Sequence, residues 1–177
     1  MHKRIAAALL AVGLVMPASS VLAQQLINGA GATFPYPIYA KCVELDVPIF
    51  SCVGVPGPRL PMWPQKVEHI DQVMYDFPEL VFVTRHGCEP WEKLAMKLML
   101  KWPNLYYSTS AFAPRFYPEE IVHYANTRGA DKILYAGYFP MGLSLERIMQ
   151  DMPQVPFRDP VWPKFLRENA RRVLKLG

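Results

Sequence analysis

Residues 52–91 read "CVGVPGPRLPMWPQKVEHIDQVMYDFPELVFVTRHGCEPW", and the spacing of their apolar side chains changes twice. The stretch begins at the end of a short apolar run, residues 47–53, and passes into a loop rich in Gly and Pro. From Val67 the apolar residues return at helical spacing. Val67, Ile70, Val73, Met74 and Phe77 share one side of a helix. Residues 80–84 then make a continuous apolar and β-branched run, the pattern of a strand buried on both faces. Strand, helix and strand in that order form a βαβ unit, and its two strands run parallel.

The same alternation continues toward the C-terminus. Two further strands are expected at residues 105–109 and 132–136. Trp91, Leu94, Leu98 and Trp102 make the apolar stripe of a second helix. Pro118 opens a third, carrying Ile121, Val122 and Ala125 until Gly129 stops it. Ser144 caps a short fourth with Leu145, Ile148 and Met149. Asp159 and Pro160 start the last, with Phe165, Leu166, Ala170, Val173 and Leu174 facing inward. The fold class is α/β with parallel strands, in about four βα units.

Composition narrows the function classes. Hydrophobic residues make up 51% of the 177 and charged ones 19%, which suits a packed domain rather than a disordered chain. The formal net charge is +4, but the basic residues are scattered, with their densest groups at Lys3-Arg4 and over residues 167–175. The second group lies on an amphipathic helix without interleaved aromatics, so no nucleic-acid footprint is expected. The three cysteines, Cys42, Cys52 and Cys88, form no CxxC or other zinc spacing. They read as small buried hydrophobes.

The front of the chain has a different character. "MHKR" is a positive n-region, "IAAALLAVGLVM" an apolar h-region, and "SSVLA" after Pro17 ends in a small-residue cleavage site at Ala23. Residues 1–23 therefore read as a signal peptide, with the product periplasmic or secreted and no stable membrane insertion after cleavage. The next run, "QQLINGAGATFPYPIYAK", places a strand-like Leu26-Ile27 before a glycine-rich turn. Glycine-rich turns let backbone N–H groups approach an anion. This run resembles the mature N-terminus of the periplasmic phosphate-binding protein of phosphate ABC transporters. The resemblance implies that Ala32, Thr33 and Phe34 form one phosphate-contacting loop. Three segments are expected: 1–23 signal peptide, 24–41 phosphate-binding-protein-like, and 42–177 the α/β body.

The body resembles the amidohydrolase-related family that includes the aminocarboxymuconate-semialdehyde decarboxylase-like enzymes. The resemblance is carried by residues 52–91, by "DKILYAGYFP" and by the closing "FLRENARRVLKL", and spans residues 36–177. It implies a partial (β/α)8 TIM barrel, the C-terminal half, with a divalent metal, zinc, at the C-terminal ends of the strands. It also implies which residues stand at the site. Cys52 takes the place of the family's fifth-strand His, His86 keeps the sixth-strand His in "VTRHG", and Tyr138 replaces the eighth-strand Asp. Cys52 and His86 are the candidate metal ligands, and His86 and Tyr138 the candidate catalytic groups. Arg59, on the loop of the same end, is the candidate substrate contact.

Chemistry weighs against a working site in this chain. A hydrolytic metal needs three or four ligands, an open position and a base for its water. One inherited imidazole holds metal poorly, and a phenol is a poor general base near neutrality. The bland reading of His86 is a hydrogen-bonded strand-end histidine. His69, beside Glu68 and Asp71, and His123, four residues after Glu119, read as solvated helix faces. Ser108 to Ser110 ("STS") has no His or Asp partner at matching spacing, so a nucleophilic serine is not expected. Trp91 and Trp102 read as core.

The expectation is therefore a hydrolase or decarboxylase by lineage, truncated and catalytically impaired, acting on a small-molecule substrate if on anything. The alternative is an exported phosphate-binding component. A half barrel exposes two strand edges and an apolar inner face. Partners are thus expected: a homo-oligomer, a separate N-terminal half barrel, or uncontrolled aggregation.

Overall fold

The computed structural model describes residues 35–176. The signal peptide read over residues 1–23, and Ala32, Thr33 and Phe34 of the phosphate-like loop, lie outside the described residues. The described chain opens with α1 (Tyr36–Glu44), which leads into β1 (Ile49–Cys52). Then follow α2 (Glu68–Asp76), β2 (Phe82–Arg85), α3 (Glu92–Lys101) and β3 (Leu105–Ser108). After α4 (Glu119–Thr127) come β4 (Ile133–Leu134) and α5 (Leu145–Asp151). The last helical stretch runs through α6 (Val161–Pro163), a π turn (Lys164–Glu168) and α7 (Asn169–Val173). No helix among the described residues is long and apolar enough to cross a membrane.

The strands form one sheet in the order β1-β2-β3-β4, with every neighbouring pair parallel. Sequential strands side by side, joined by helical crossovers, are the arrangement of a TIM barrel wall. The partial barrel expected from the sequence is what the chain forms. The strands are shorter than their apolar runs, because the first and last residues of each run turn into loops.

One face of the sheet carries the main core. Ile49, Phe82, Leu105, Tyr107 and Ile133 point from the strands into a cluster with Val67, Ile70, Val73, Met74 and Phe77 on the other side. The expected α2 stripe is thus wholly buried. α1 joins the same layer: Tyr36 and Tyr39 set their rings 4.7 Å and 5.6 Å from that of Phe77. This helix crosses the expected seam between residues 41 and 42, and Tyr39, Ala40, Cys42 and Val43 all pack on the body.

Three stripes differ from expectation. α3 buries Ala95, Leu98 and Met99, while Leu94 is exposed. The helix starts at Glu92, which leaves Trp91 and Trp102 as half-buried flanks, and the Trp102 indole N–H donates to the Asp71 carboxylate at 2.7 Å. In α5 only Ile148 of the three apolar residues turns inward, although Ser144 caps it as expected, its hydroxyl accepting from the Arg147 N–H at 3.2 Å. In the last helix Leu166 and Leu174 are exposed. Phe165 and Val173 are buried as expected, and past the π turn the inward face also takes in Asn169.

The end of the chain has two tasks. The Phe165 carbonyl, within the π turn, accepts the Tyr135 N–H at 2.9 Å, and the Asn169 amide donates to the Ile133 carbonyl at 2.8 Å. Tyr107 and Thr109 donate to Lys132 and Leu134, so Ile133 and Tyr135 present their backbone groups to the outer edge of β4. The terminal helix therefore seals that edge. Val173 and Ala170 also cover Val83 and Leu134 on the face opposite the main core. Lys175 reaches on to the side chain and carbonyl of Asp46, just before β1.

Phe165 is fully buried among Tyr117, Tyr135, Phe157 and Trp162. Replacing it with Ala is expected to cost about 3–5 kcal/mol in urea unfolding. A loss below about 1 kcal/mol would show that the terminal helix does not hold the sheet.

Candidate functional site

All four strands end on the same side of the sheet, where loops converge in barrels of this type. A cleft of about 550 Å³ lies there. Cys52 enters it from the end of β1, His86 from the end of β2, Phe112 from the loop after β3 and Tyr138 from the loop after β4, with residues 55–58 along one wall. The structure thus brings Cys52, His86 and Tyr138 into one cleft. Arg59 is exposed, and its neighbours Pro58 and Leu60 line the cleft in its stead.

The backbone after β2 places His86. His86, Gly87 and Cys88 have φ of 66°, 79° and 61°, three successive left-handed residues. Such residues cost on the order of 1–2 kcal/mol each unless they are glycine. Only glycine fits at position 87, where a Cβ would lie 2.5 Å from the Phe112 ring. Bonds from β3 and the loop after it hold the run in place. The His86 N–H donates to Ser110 Oγ at 3.0 Å, and the Tyr107 hydroxyl donates to the Gly87 carbonyl at 2.8 Å. Gly54 at the end of β1 serves the same region, since a Cβ there would meet the Glu89 backbone at 3.0 Å.

The imidazole stands edge-on to Tyr138, with ring centroids 5.8 Å apart. Burial lowers its pKa from the ordinary histidine value, and the neighbouring Arg85 cation lowers it further. His86 is therefore neutral at pH 7, able to accept a proton or a hydrogen bond. Cys88 behaves differently: fully buried, its thiol is pushed up to about 12, chiefly by desolvation, which makes it inert. Cys42 and Cys52 are half-buried, and all three cysteines are free.

Other candidates fall into place. Ser108, Thr109 and Ser110 are buried, and Ser110 supports the His86 backbone rather than acting as a nucleophile. His123 is exposed, with no ion pair to Glu119. His69 is no solvated face. It is half-buried, its Nε2 lies 2.8 Å from the Trp63 carbonyl, and its ring is edge-on to Trp63 at 4.8 Å. The loop before α2 folds back over it, and together they line a second cavity of about 270 Å³ against β1. Sequence reasoning missed Ser110 as a support and Phe112 as a wall. Nothing local in "STSAF" announces either, because their roles depend on the turn after β2.

The donor set does not fit the family's metal. Among the described residues no three His, Cys, Asp or Glu side chains come together to hold an ion. The cleft offers one imidazole, one thiol and one phenol, and no carboxylate, too few donors for the three or four ligands that a hydrolytic metal needs.

In NMR titration of the intact protein the His86 midpoint should lie below the ordinary value of about 6.5. Arg85→Met should raise it. The folded state resists this proton, so stability should fall as pH drops below about 6.5, and His86→Gln should flatten that slope. A midpoint at or above the ordinary value would refute the buried, neutral imidazole. A thiol reagent should label Cys42 and Cys52 in the native protein and reach Cys88 only on unfolding; fast native labelling of Cys88 would contradict its burial.

Comparison with known proteins fits this geometry. The family model described as Amidohydrolase matches residues 10–176. No curated protein gives a significant match. An uncharacterized TIM-barrel protein from Bordetella bronchiseptica is 29% identical, with a TM-score of 0.73 over 84% of this chain and 52% of that one. The 2,6-dihydroxybenzoate decarboxylase from Rhizobium is 17% identical, with a TM-score of 0.62 over 84% and 57%. A dihydroxybenzoic acid decarboxylase from Polaromonas sp. JS666, solved with bound manganese and the inhibitor 2-nitroresorcinol, is 17% identical, with a TM-score of 0.58 over 84% and 55%. The chain spans little more than half the length of these structures, and its likeness to the two decarboxylases is one of fold. With the family model running through all four strands and the loops that carry Cys52, His86 and Tyr138, the chain belongs to the amidohydrolase family.

Proposed function

We propose that this chain is of metal-dependent hydrolase or decarboxylase lineage, that its cleft receives a small aromatic carboxylate, and that by itself it does not turn that ligand over. The observation carrying the proposal is the cleft itself: a neutral imidazole and a phenol meet over an apolar wall, without the carboxylate that a metal and its water require. Arg85, next to His86, has no acidic side chain within ion-pair distance among the described residues, and Arg59 is exposed between Pro58 and Leu60 of the cleft wall without lining it. Either guanidinium suits a ligand carboxylate. Phe112 and Tyr138 suit its ring. Two of the similar structures are decarboxylases of hydroxybenzoates, one with manganese, which makes such acids the first ligands to try.

Manganese is the metal of one relative, and the thiol at position 52 favours zinc over manganese. Either ion would need ligands from beyond the described residues. The export reading of residues 1–23 adds a periplasmic or secreted location to the proposal. The phosphate-binding alternative rests on residues 24–41, of which the last seven pack on the barrel body or lead into α1.

The test is metal analysis with a decarboxylation assay. After incubation with manganese or zinc and desalting, the purified chain should retain well below one ion per chain. It should release no carbon dioxide from 2,6-dihydroxybenzoate, while still binding it in equilibrium dialysis, and Arg85→Met should weaken that binding. Stoichiometric metal with turnover abolished in His86→Ala would overturn the impaired reading.

A further inference from the structure

β3 is an inner strand, with β2 on one side and β4 on the other. Its end carries Ser108, Thr109 and Ser110, three buried hydroxyl residues that do not line the cleft. Two of them bond to the strand ends that flank them. Toward β4, the Thr109 N–H donates to the Leu134 carbonyl at 3.2 Å, as a parallel ladder requires. The next rung of that ladder would run from the Ala136 N–H to the Thr109 carbonyl. It runs to the Thr109 hydroxyl instead, at 3.3 Å. Toward β2, the Phe82 N–H donates to the Asn104 carbonyl, and the same register carried onward would send the His86 N–H to Ser108. It goes to Ser110 Oγ at 3.0 Å. Each flanking strand thus makes its last bond to β3 through a hydroxyl. One of these bonds is at His86 itself, and the other lies two residues before Tyr138.

The bond at Ala136 has little to back it up. Among the described residues, no other hydrogen bond joins residues 136–142 to the rest of the chain. The Gly142 N–H donates to the Pro140 carbonyl, inside the loop. Packing adds little, since Phe139 and Met141 are 65% and 67% exposed.

We infer that Thr109 is a positioning residue: its hydroxyl fixes the start of the loop that carries Tyr138, as Ser110 fixes His86, so that the end of β3 sets the spacing of the two rings in the cleft. That spacing is the edge-on pair with centroids 5.8 Å apart. The effect of Thr109 on a ligand rests on the aromatic-acid reading of the cleft. Its effect on the two rings rests on the β3 bonds alone. An acid whose ring lies against Tyr138 and whose polar groups reach His86 uses both arms at once. A loop released at Ala136 has to be ordered again when that acid binds.

The test reads the rings directly in the full chain. A nuclear Overhauser contact between the His86 and Tyr138 ring protons is expected in the unmodified protein. Thr109→Val keeps the branched shape and removes the acceptor, so it should abolish the contact with the far-UV circular dichroism spectrum unchanged. Thr109→Ser should restore the contact. Lys132→Met is the comparison, because the Lys132 ammonium bonds the Trp102 and Leu105 carbonyls, both at 3.2 Å, at the far end of the same two strands. Its loss should lower stability and leave the contact in place. In equilibrium dialysis, 2,6-dihydroxybenzoate should bind about fivefold more weakly to Thr109→Val, the share of one hydrogen bond, and no more weakly to Lys132→Met. A contact that survives in Thr109→Val, or that the unmodified chain lacks, overturns the inference. Equal loss in Lys132→Met does so too, since it reports a general loosening of the strand pair. Should Thr109→Val not fold, Thr109→Ala is read by the same criteria. If the ring contacts behave as expected and the unmodified chain binds no hydroxybenzoate, the ligand reading fails and the role of Thr109 stands.

Discussion

A parallel sheet that does not close on itself must find partners for the backbone groups along its outermost strands, and here one hydrogen bond shows how the chain does it. The Phe165 carbonyl, within the π turn of the last helix, takes the Tyr135 N–H. The same turn brings Asn169 to the next group along β4 and directs Val173 onto Val83 and Leu134. One local irregularity thus covers an edge and part of a face. The rest of the described chain is arranged around a sheet whose β4 edge is met by the terminal helix and whose β1 edge has no neighbouring strand among the described residues.

Much of this fold could be read from periodicity. The stripe of Val67, Ile70, Val73, Met74 and Phe77 is buried as its spacing implies, and each expected strand exists. The misread residues share one cause. Leu94, Leu145, Met149, Leu166 and Leu174 are apolar but exposed, at positions where the helix start or its pitch, not hydrophobicity, sets the phase. Nothing in "KFLRE" signals a π turn, and the group it presents to β4 lies far along the chain from that strand. A regular 3.6-residue count past Pro163 therefore fails.

The candidate site was legible in its members and illegible in its supports. Cys52, His86 and Tyr138 meet in one cleft because each follows a strand end, and the order of motifs along the chain conveys that. Arg59 follows the same logic yet turns to solvent. Ser110 and Phe112 matter through the turn at Gly87, a relation of three-dimensional contact that no spacing in the sequence encodes. Family membership and metal chemistry also separate here. The chain keeps the barrel wall of the amidohydrolases, while the described residues bring no three metal-ligating side chains together.

The left-handed run at residues 86–88 bears on how tightly anything could be held in the cleft. Its backbone is pinned by Ser110 and Tyr107 before a ligand arrives, and the imidazole rests against the Tyr138 ring. A guest that reaches His86 meets a backbone whose conformational entropy has already been surrendered during folding. The ordering penalty that weakens small-ligand association at mobile loops is correspondingly reduced. The wall of the cleft at this turn is thus set by folding rather than by a guest.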